Sequence, residues 1–193
     1  MTRLKGRARA NASKKRRSKV RYDGVIYRKK MISKIRKYDD LILEAECDWV
    51  DNEEDVSFII KELKKVLMAT KKGIGISASQ IGYTKRIIAI RPGGWGGKIS
   101  ILINPEIAEQ SEEKIKGTEG CLSYPGVQAT VERFKDIKLK YKNEDNILKV
   151  EKFKELESII IQHEIDHLLE GWCKVYYAWK EQQKETKDGK DGD

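Results

Sequence analysis

Apolar residues between positions 55 and 71 fall at Val56, Ile59, Ile60, Leu63, Val66 and Leu67. These intervals place them on one stripe of a helix with its other faces polar, so an amphipathic helix is predicted over about Asp55 to Lys71. Asp51, Asn52 and Asp55 stand ready to cap its start, and Gly73 to stop it. The pattern then shortens. Arg86 to Ile90 and Ile99 to Ile103 are brief β-rich runs, separated by a glycine loop at Gly93-Gly94-Trp95-Gly96-Gly97. Ile137 to Tyr141 alternates apolar residues with lysine, as a half-exposed strand does. Asn143 to Asn146 reads as a turn and Ile147 to Phe153 as a hairpin partner. A second helix is predicted from about Leu156 through His167 to Leu169, with Gly171 ending it. Helix, strands, helix is an α+β order in one domain.

Charge divides the chain unevenly. Residues 1–30 hold thirteen Lys and Arg against one acid, Asp23. The remainder has 27 basic and 30 acidic residues, so the net +9 belongs to an extension and not to the domain. Residues 1–30 are expected to lack structure, having few apolar side chains to bury. Their charge suits ribosomal or other RNA through phosphate contacts, or an organelle import signal, or simple solvation. Residues 180–193 mix both signs and read as a flexible tail, leaving 31–179 as the folded domain. No apolar run approaches the roughly 18–20 residues of a membrane span. No secretory signal opens the chain, so a cytoplasmic location is expected. Three scattered cysteines, Cys47, Cys121 and Cys173, form no disulfide framework.

Both histidines occur in one word, His163-Glu164-Ile165-Asp166-His167. Two imidazoles four residues apart share a helix face, so one ion can take a nitrogen from each. Glu164, beside the first, is placed to take a proton from water activated there. A catalytic ion usually has three protein ligands. With no third histidine, the remaining donors are Glu181 or Glu185 in the charged tail, or a cysteine. Cys121 is best placed, in Glu119-Gly120-Cys121-Leu122-Ser123. Cys47 and Cys173 read as buried small apolar side chains. A third segment, Gly73 to Gln80, combines small residues with a terminal amide. It reads either as a packed turn or as a substrate wall whose Gln80 could donate to an oxyanion.

These three segments, in this order, resemble the GxGxAAxQ, EGCLS and QHExDH motifs of the peptide deformylase family. The resemblance spans about residues 38–178, with Ser77 in place of the first alanine and Ile76 in place of a common leucine. It implies small antiparallel or mixed sheets packed around a central C-terminal helix that carries the HExxH word. It implies one divalent ion, Fe(II) foremost with zinc or nickel able to substitute, held by Cys121, His163 and His167. Glu164 would shuttle the proton, and Gln80 with the Leu122 backbone N–H would bind the oxyanion. Gly73, Gly75, Glu119 and Arg133 would serve the substrate, with Glu119, Gln162 and Asp166 also able to orient ligands. The substrate implied is the N-formyl-methionine end of nascent peptides. Two rival readings use the same residues differently. One is another HExxH peptidase or amidase. The other is a nucleic-acid-binding or ribosome-binding protein acting through residues 1–30.

Overall fold

A computed structural model of the chain describes residues 19–22, 25–28, 34–169 and 173–188. The chain divides into two units, Met1–Ile32 and Ser33–Asp193. In the first, strands β1 (Lys19–Tyr22) and β2 (Val25–Arg28) pair antiparallel. The basic extension, expected to lack structure, therefore contains a short ribbon. Its valines, isoleucine and tyrosines are strand-favouring types interspersed among the charges. The rest of the calls on residues 1–30 lie outside the described residues.

The second unit contains three α-helices and two antiparallel sheets among its described residues. Helix α1 is Ser57–Ala69, and it buries Ile59, Leu63, Val66 and Leu67, the stripe read from the sequence. Asp55 accepts from the Ser57 N–H at 3.0 Å, satisfying one of the free donors at the helix start. The larger sheet has the order β3-β4-β5-β8-β9. Its strands are β3 (Gly75–Ser77), β4 (Ile87–Ile90), β5 (Ser100–Gln110), β8 (Asp136–Lys142) and β9 (Leu148–Lys154). All four residues of β4 are buried, because α1 and helix α2 (Glu155–Asp166) both pack on it. An unbroken apolar run is what such a doubly covered strand requires. In β8 only Ile137 and Leu139 are buried, while Lys138 and Lys140 point away.

The second sheet is a long ribbon of β6 (Lys114–Cys121) and β7 (Tyr124–Phe134). The sequence reading missed it, since along β6 only Cys121 is buried and no apolar periodicity marks the strand. Helix α3 (Lys174–Asp188) lies on β7. Residues 180–188, read from the sequence as part of a tail, continue this helix, and residues 189–193 lie outside the described set. Its anchor is an aromatic edge: Tyr176 stacks on Tyr124 at 4.6 Å and on Trp179 at 6.2 Å, beside the fully buried Val175. Lys174 and Gln182 add hydrogen bonds to the carbonyls of Glu132 (2.7 Å) and Thr130 (3.0 Å). Tertiary packing thus holds a helix that its charged composition disguised. Helix α2 touches both sheets and closes on His167 as its cap, earlier than the predicted Leu169; Gly171 lies outside the described residues.

Candidate metal-dependent active site

The end of β6 and the last turn of α2 meet. Cys121 is the final residue of β6, and Leu122-Ser123 turn the chain back into β7. On α2, helical spacing puts His163 and His167 on one side, their ring centroids 5.4 Å apart. His167 Nε2 lies 3.2 Å from Cys121 Sγ. His163 Nδ1 lies 2.8 Å from Glu119 Oε2, which leaves its Nε2 as the nitrogen available to an ion. Three ligand-type atoms, from Cys121, His167 and Cys173, lie within 4.8 Å of one another. By sequence Cys173 reads as a buried small apolar side chain. It is indeed buried, but against Cys121. His163 stands one turn back from that trio, held by Glu119.

A second layer fixes these groups. Arg133 grips Glu119 with two hydrogen bonds (2.9 and 3.0 Å) and reaches Asp166 at 2.7 Å. It is 4% exposed and its guanidinium is spent on these carboxylates, so it is not available to bind substrate as expected. Gln162 clamps α2 to β7, accepting from the Phe134 N–H (3.0 Å) and donating to its carbonyl (2.8 Å).

Electrostatics set the protonation states. Burial opposes the charge on Glu119, but hydrogen bonds from His163 and Arg133 outweigh it and hold the carboxyl down at about 2. Burial likewise pulls His163 down, yet its contact with Glu119 carries it up to about 8. His167 is depressed by burial and by its cationic neighbours His163 and Arg133. The Cys121 thiol is pushed up by its contact with Cys173 and by burial. Burial raises Glu164 to about 7, with Cys173, Asp166 and Glu119 adding to the effect and His163 opposing it. Glu164 is 4% exposed and its Oε2 has no hydrogen-bond partner. A buried orphan oxygen beside buried thiols and imidazoles is a donor set short of a cation. A divalent ion supplies that charge and favours the thiolate and neutral imidazoles. The residues fit a metal.

Gln80 approaches from the turn after β3 and is 1% exposed. Its Nε2 donates to Ser123 Oγ (3.1 Å) and Cys121 Sγ (3.6 Å), and its Oε1 accepts from the Ser77 N–H (2.9 Å). Ser77, the departure from the family's alanine, also places its hydroxyl 3.3 Å from that Oε1 and 2.9 Å from the Ser79 hydroxyl. The Leu122 carbonyl accepts from Lys37 Nζ at 2.7 Å, which pins the turn after Cys121. Gly75 has a reason visible only in the structure. A Cβ there would come within 2.9 Å of Glu164 Cδ, so the missing side chain makes room for that carboxyl. A cleft of about 570 Å³ opens over these groups. Gly73, Gly75, Gln80, Glu119, Cys121, Leu122, His163 and Glu164 line it, with apolar walls from Tyr124, Val127, Leu156, Ile159 and Ile160.

Residues 32–183 match the family described as Polypeptide deformylase. The chain belongs to this family. A peptide deformylase of Pseudothermotoga lettingae is 39% identical over 139 residues, 72% of this chain and 78% of that protein. The crystal structure of a probable peptide deformylase from Synechococcus phage S-SSM7 superposes with a TM-score of 0.67 at 35% identity, covering 75% of this chain and 98% of that one. A class I type b peptide deformylase from Acinetobacter baumannii, solved with Met-Ala-Ser bound, gives a TM-score of 0.64 at 30% identity over 69% and 91% of the two chains. The deformylase family is metal-dependent, and this member is an enzyme that removes the N-formyl group from nascent peptides. The two rival readings are not favoured. No helix among the described residues is long and apolar enough to cross a membrane.

Proposed function

We propose that Cys121, His163 and His167 hold one divalent ion, and that Glu164 is the general acid–base of N-formyl-methionyl peptide hydrolysis. A thiolate with two imidazoles suits Fe(II), and zinc or nickel fit the same donors. When bound, the ion polarises the formyl carbonyl and lowers the pKa of water beside it. The other steps belong to the protein. Water oxygen attacks the formyl carbon while Glu164 accepts its proton. The C–N bond then breaks, and Glu164 delivers the proton to the departing amine, releasing formate and a free N-terminus. Burial, which raises the Glu164 carboxyl above the ordinary carboxylate range, favours a group that both takes and returns a proton.

The carbonyl oxygen gathers negative charge in between. Gln80 would offer it the amide hydrogen now given to Ser123, and the Leu122 N–H would be the second donor. The backbone at Gly73 and Gly75 lines the β3 side of the cleft and offers strand-like pairing to the peptide. The apolar walls provide for a methionine side chain. The Met-Ala-Ser held by the Acinetobacter relative begins with the residue this reaction would leave exposed. The observation that carries the reading is the buried, unpartnered Glu164 carboxyl on a cleft floor of cysteine and histidine donors.

The test is formate release from a formyl-Met tripeptide by protein purified without oxygen and loaded with Fe(II). Turnover is the expected result. Cleavage of internal peptide bonds, with the formyl group left in place, would overturn it in favour of a peptidase.

A further inference from the structure

Gln80 and Leu122 reach the cleft from two separate turns, one after β3 and one at the end of β6. Two neighbouring residues outside the three motifs, Arg36 and Lys37, hold both turns. The Arg36 N–H donates to the Gln80 carbonyl at 2.7 Å. Its guanidinium lies against Gly82, where the turn that carries Gln80 ends at a φ of 96°. A Cβ at Gly82 would fall 2.8 Å from Arg36 Nη2, so the bare glycine lets the guanidinium sit close. The next residue reaches the other turn, where Lys37 Nζ donates to the Leu122 carbonyl at 2.7 Å. A hydrogen bond from an ammonium group is shorter and stronger than one between neutral groups. Arg36 and Lys37 are themselves anchored. The Asp40 carboxylate accepts from Arg36 Nη1 at 3.0 Å, and the Asp40 N–H closes a turn onto the Lys37 carbonyl at 2.8 Å. Asp40 also caps the short helical turn Leu41–Leu43, accepting from the Ile42 N–H at 3.2 Å, and Leu43 of that turn is buried.

We propose that Lys37 is a positioning residue of the oxyanion site. Its ammonium group fixes the Leu122 backbone so that the Leu122 N–H meets the oxygen that gathers charge, while Arg36 keeps the Gln80 turn in register with it. This rests on the assignment of Gln80 and Leu122 as the two donors. Such donors stabilise a transition state because they are aimed before the reaction begins. Leu122 has its N–H on the Cys121 side and its carbonyl on the Ser123 side. Cys121 is held at the end of β6, and Lys37 holds the carbonyl, so the rotation that would swing the N–H away is restricted at both ends. Lys37 is exposed, so its loss leaves the fold's stability nearly unchanged. A donor aimed at the oxyanion serves the transition state more than the bound substrate, so misaiming it lowers kcat and leaves KM in place.

The test compares Lys37→Met, which keeps the stem and loses the donor, with Lys37→Arg, which restores a cationic donor. In the Fe(II)-loaded full chain acting on a formyl-Met tripeptide, Lys37→Met is expected to lower kcat about tenfold with KM within about twofold. That is a partial loss beside the roughly 10²- to 10³-fold cost of removing a donor outright. Lys37→Arg is expected to recover most of it. Inhibition by Met-Ala-Ser, which carries no formyl oxygen, should be the same in all three proteins, as should metal content and the unfolding midpoint. Parent kcat in Lys37→Met would overturn the proposal. So would a loss that Lys37→Arg does not restore, or one matched by lost metal or a lower midpoint, since those mark a general structural role. Gln80→Leu separates this inference from the assignment it rests on. A large loss in Gln80→Leu with parent turnover in Lys37→Met defeats the positioning role and leaves the oxyanion site standing. Parent turnover in Gln80→Leu with a restorable loss in Lys37→Met removes Gln80 from the site and leaves Lys37 serving the Leu122 donor.

Discussion

The two sheets of the folded unit treat their side chains in opposite ways. In the larger sheet Ile87, Ile88, Ile90, Leu102, Ile137 and Leu139 are almost wholly buried. Their work is packing between α1 and α2. The β6–β7 ribbon has a thinner apolar face, Tyr124, Ala129 and Val131, beneath α3. What it buries besides is chemistry: Cys121 at its tip and Arg133, with Glu119 close beside them. One sheet supplies the stability, and the other spends some of it on placing charged and ligating groups. The lesson is that the same backbone form can be specified by apolar periodicity or by a polar network.

Substitutions on either side sharpen this contrast. The largest effect is expected from Glu164→Gln, which keeps shape and metal content but removes the proton carrier. Formate release should drop by about 10²- to 10⁴-fold with little change in the unfolding midpoint. Near-normal turnover would remove Glu164 from its role. Arg133→Met should act on the ribbon in both respects at once. It leaves Glu119 and Asp166 buried without their cation, at a cost of about 3–5 kcal/mol in urea unfolding. It also frees Glu119 from half its hold, so metal affinity should weaken as well. If only stability changes, the Glu119–His163 contact does not depend on Arg133.

Leu139→Ala tests the other sheet. Its cavity should cost about 2–5 kcal/mol. Activity per folded, metal-loaded molecule should stay at the parent value, and a specific loss of turnover would break the division of labour. Gly75→Ala is the most revealing exception, because Gly75 belongs to the larger sheet but faces Glu164. Its Cβ should displace the carboxyl and lower formate release by about a hundredfold, as misplacement by an ångström does. An unchanged circular dichroism spectrum would show that the fold is intact.

Legibility in the sequence followed the same division. The α1 stripe and the strands around Ile88, Ile101 and Leu139 are readable because burial there is purely apolar. The HExxH word is readable because it is short and contiguous. The ribbon is not, because Ile115, Thr118 and Gly120 give β6 no contrast between faces. Helix α3 was hidden by its lysines and glutamates, though Val175, Tyr176 and Trp179 at helical spacing carried the signal. Arg133 was drawn toward substrate by its motif position. Only the distances to Glu119 and Asp166 assign it to the scaffold. Cys173 gave no local sign of its place beside the site, since its neighbour there, Cys121, lies 52 positions earlier.

The His167 carbonyl, at the end of α2, accepts from the Ser79 hydroxyl at 2.9 Å and has the Cys47 thiol at 3.9 Å. These partners lie 88 and 120 positions away in the chain. The five-residue word that looks self-sufficient in the sequence is therefore not portable. Transplanted with its own helix, it would bring both imidazoles but no anchor for the second, and no thiol to face it. The motif is the visible end of an arrangement whose other end was laid down more than a hundred residues earlier.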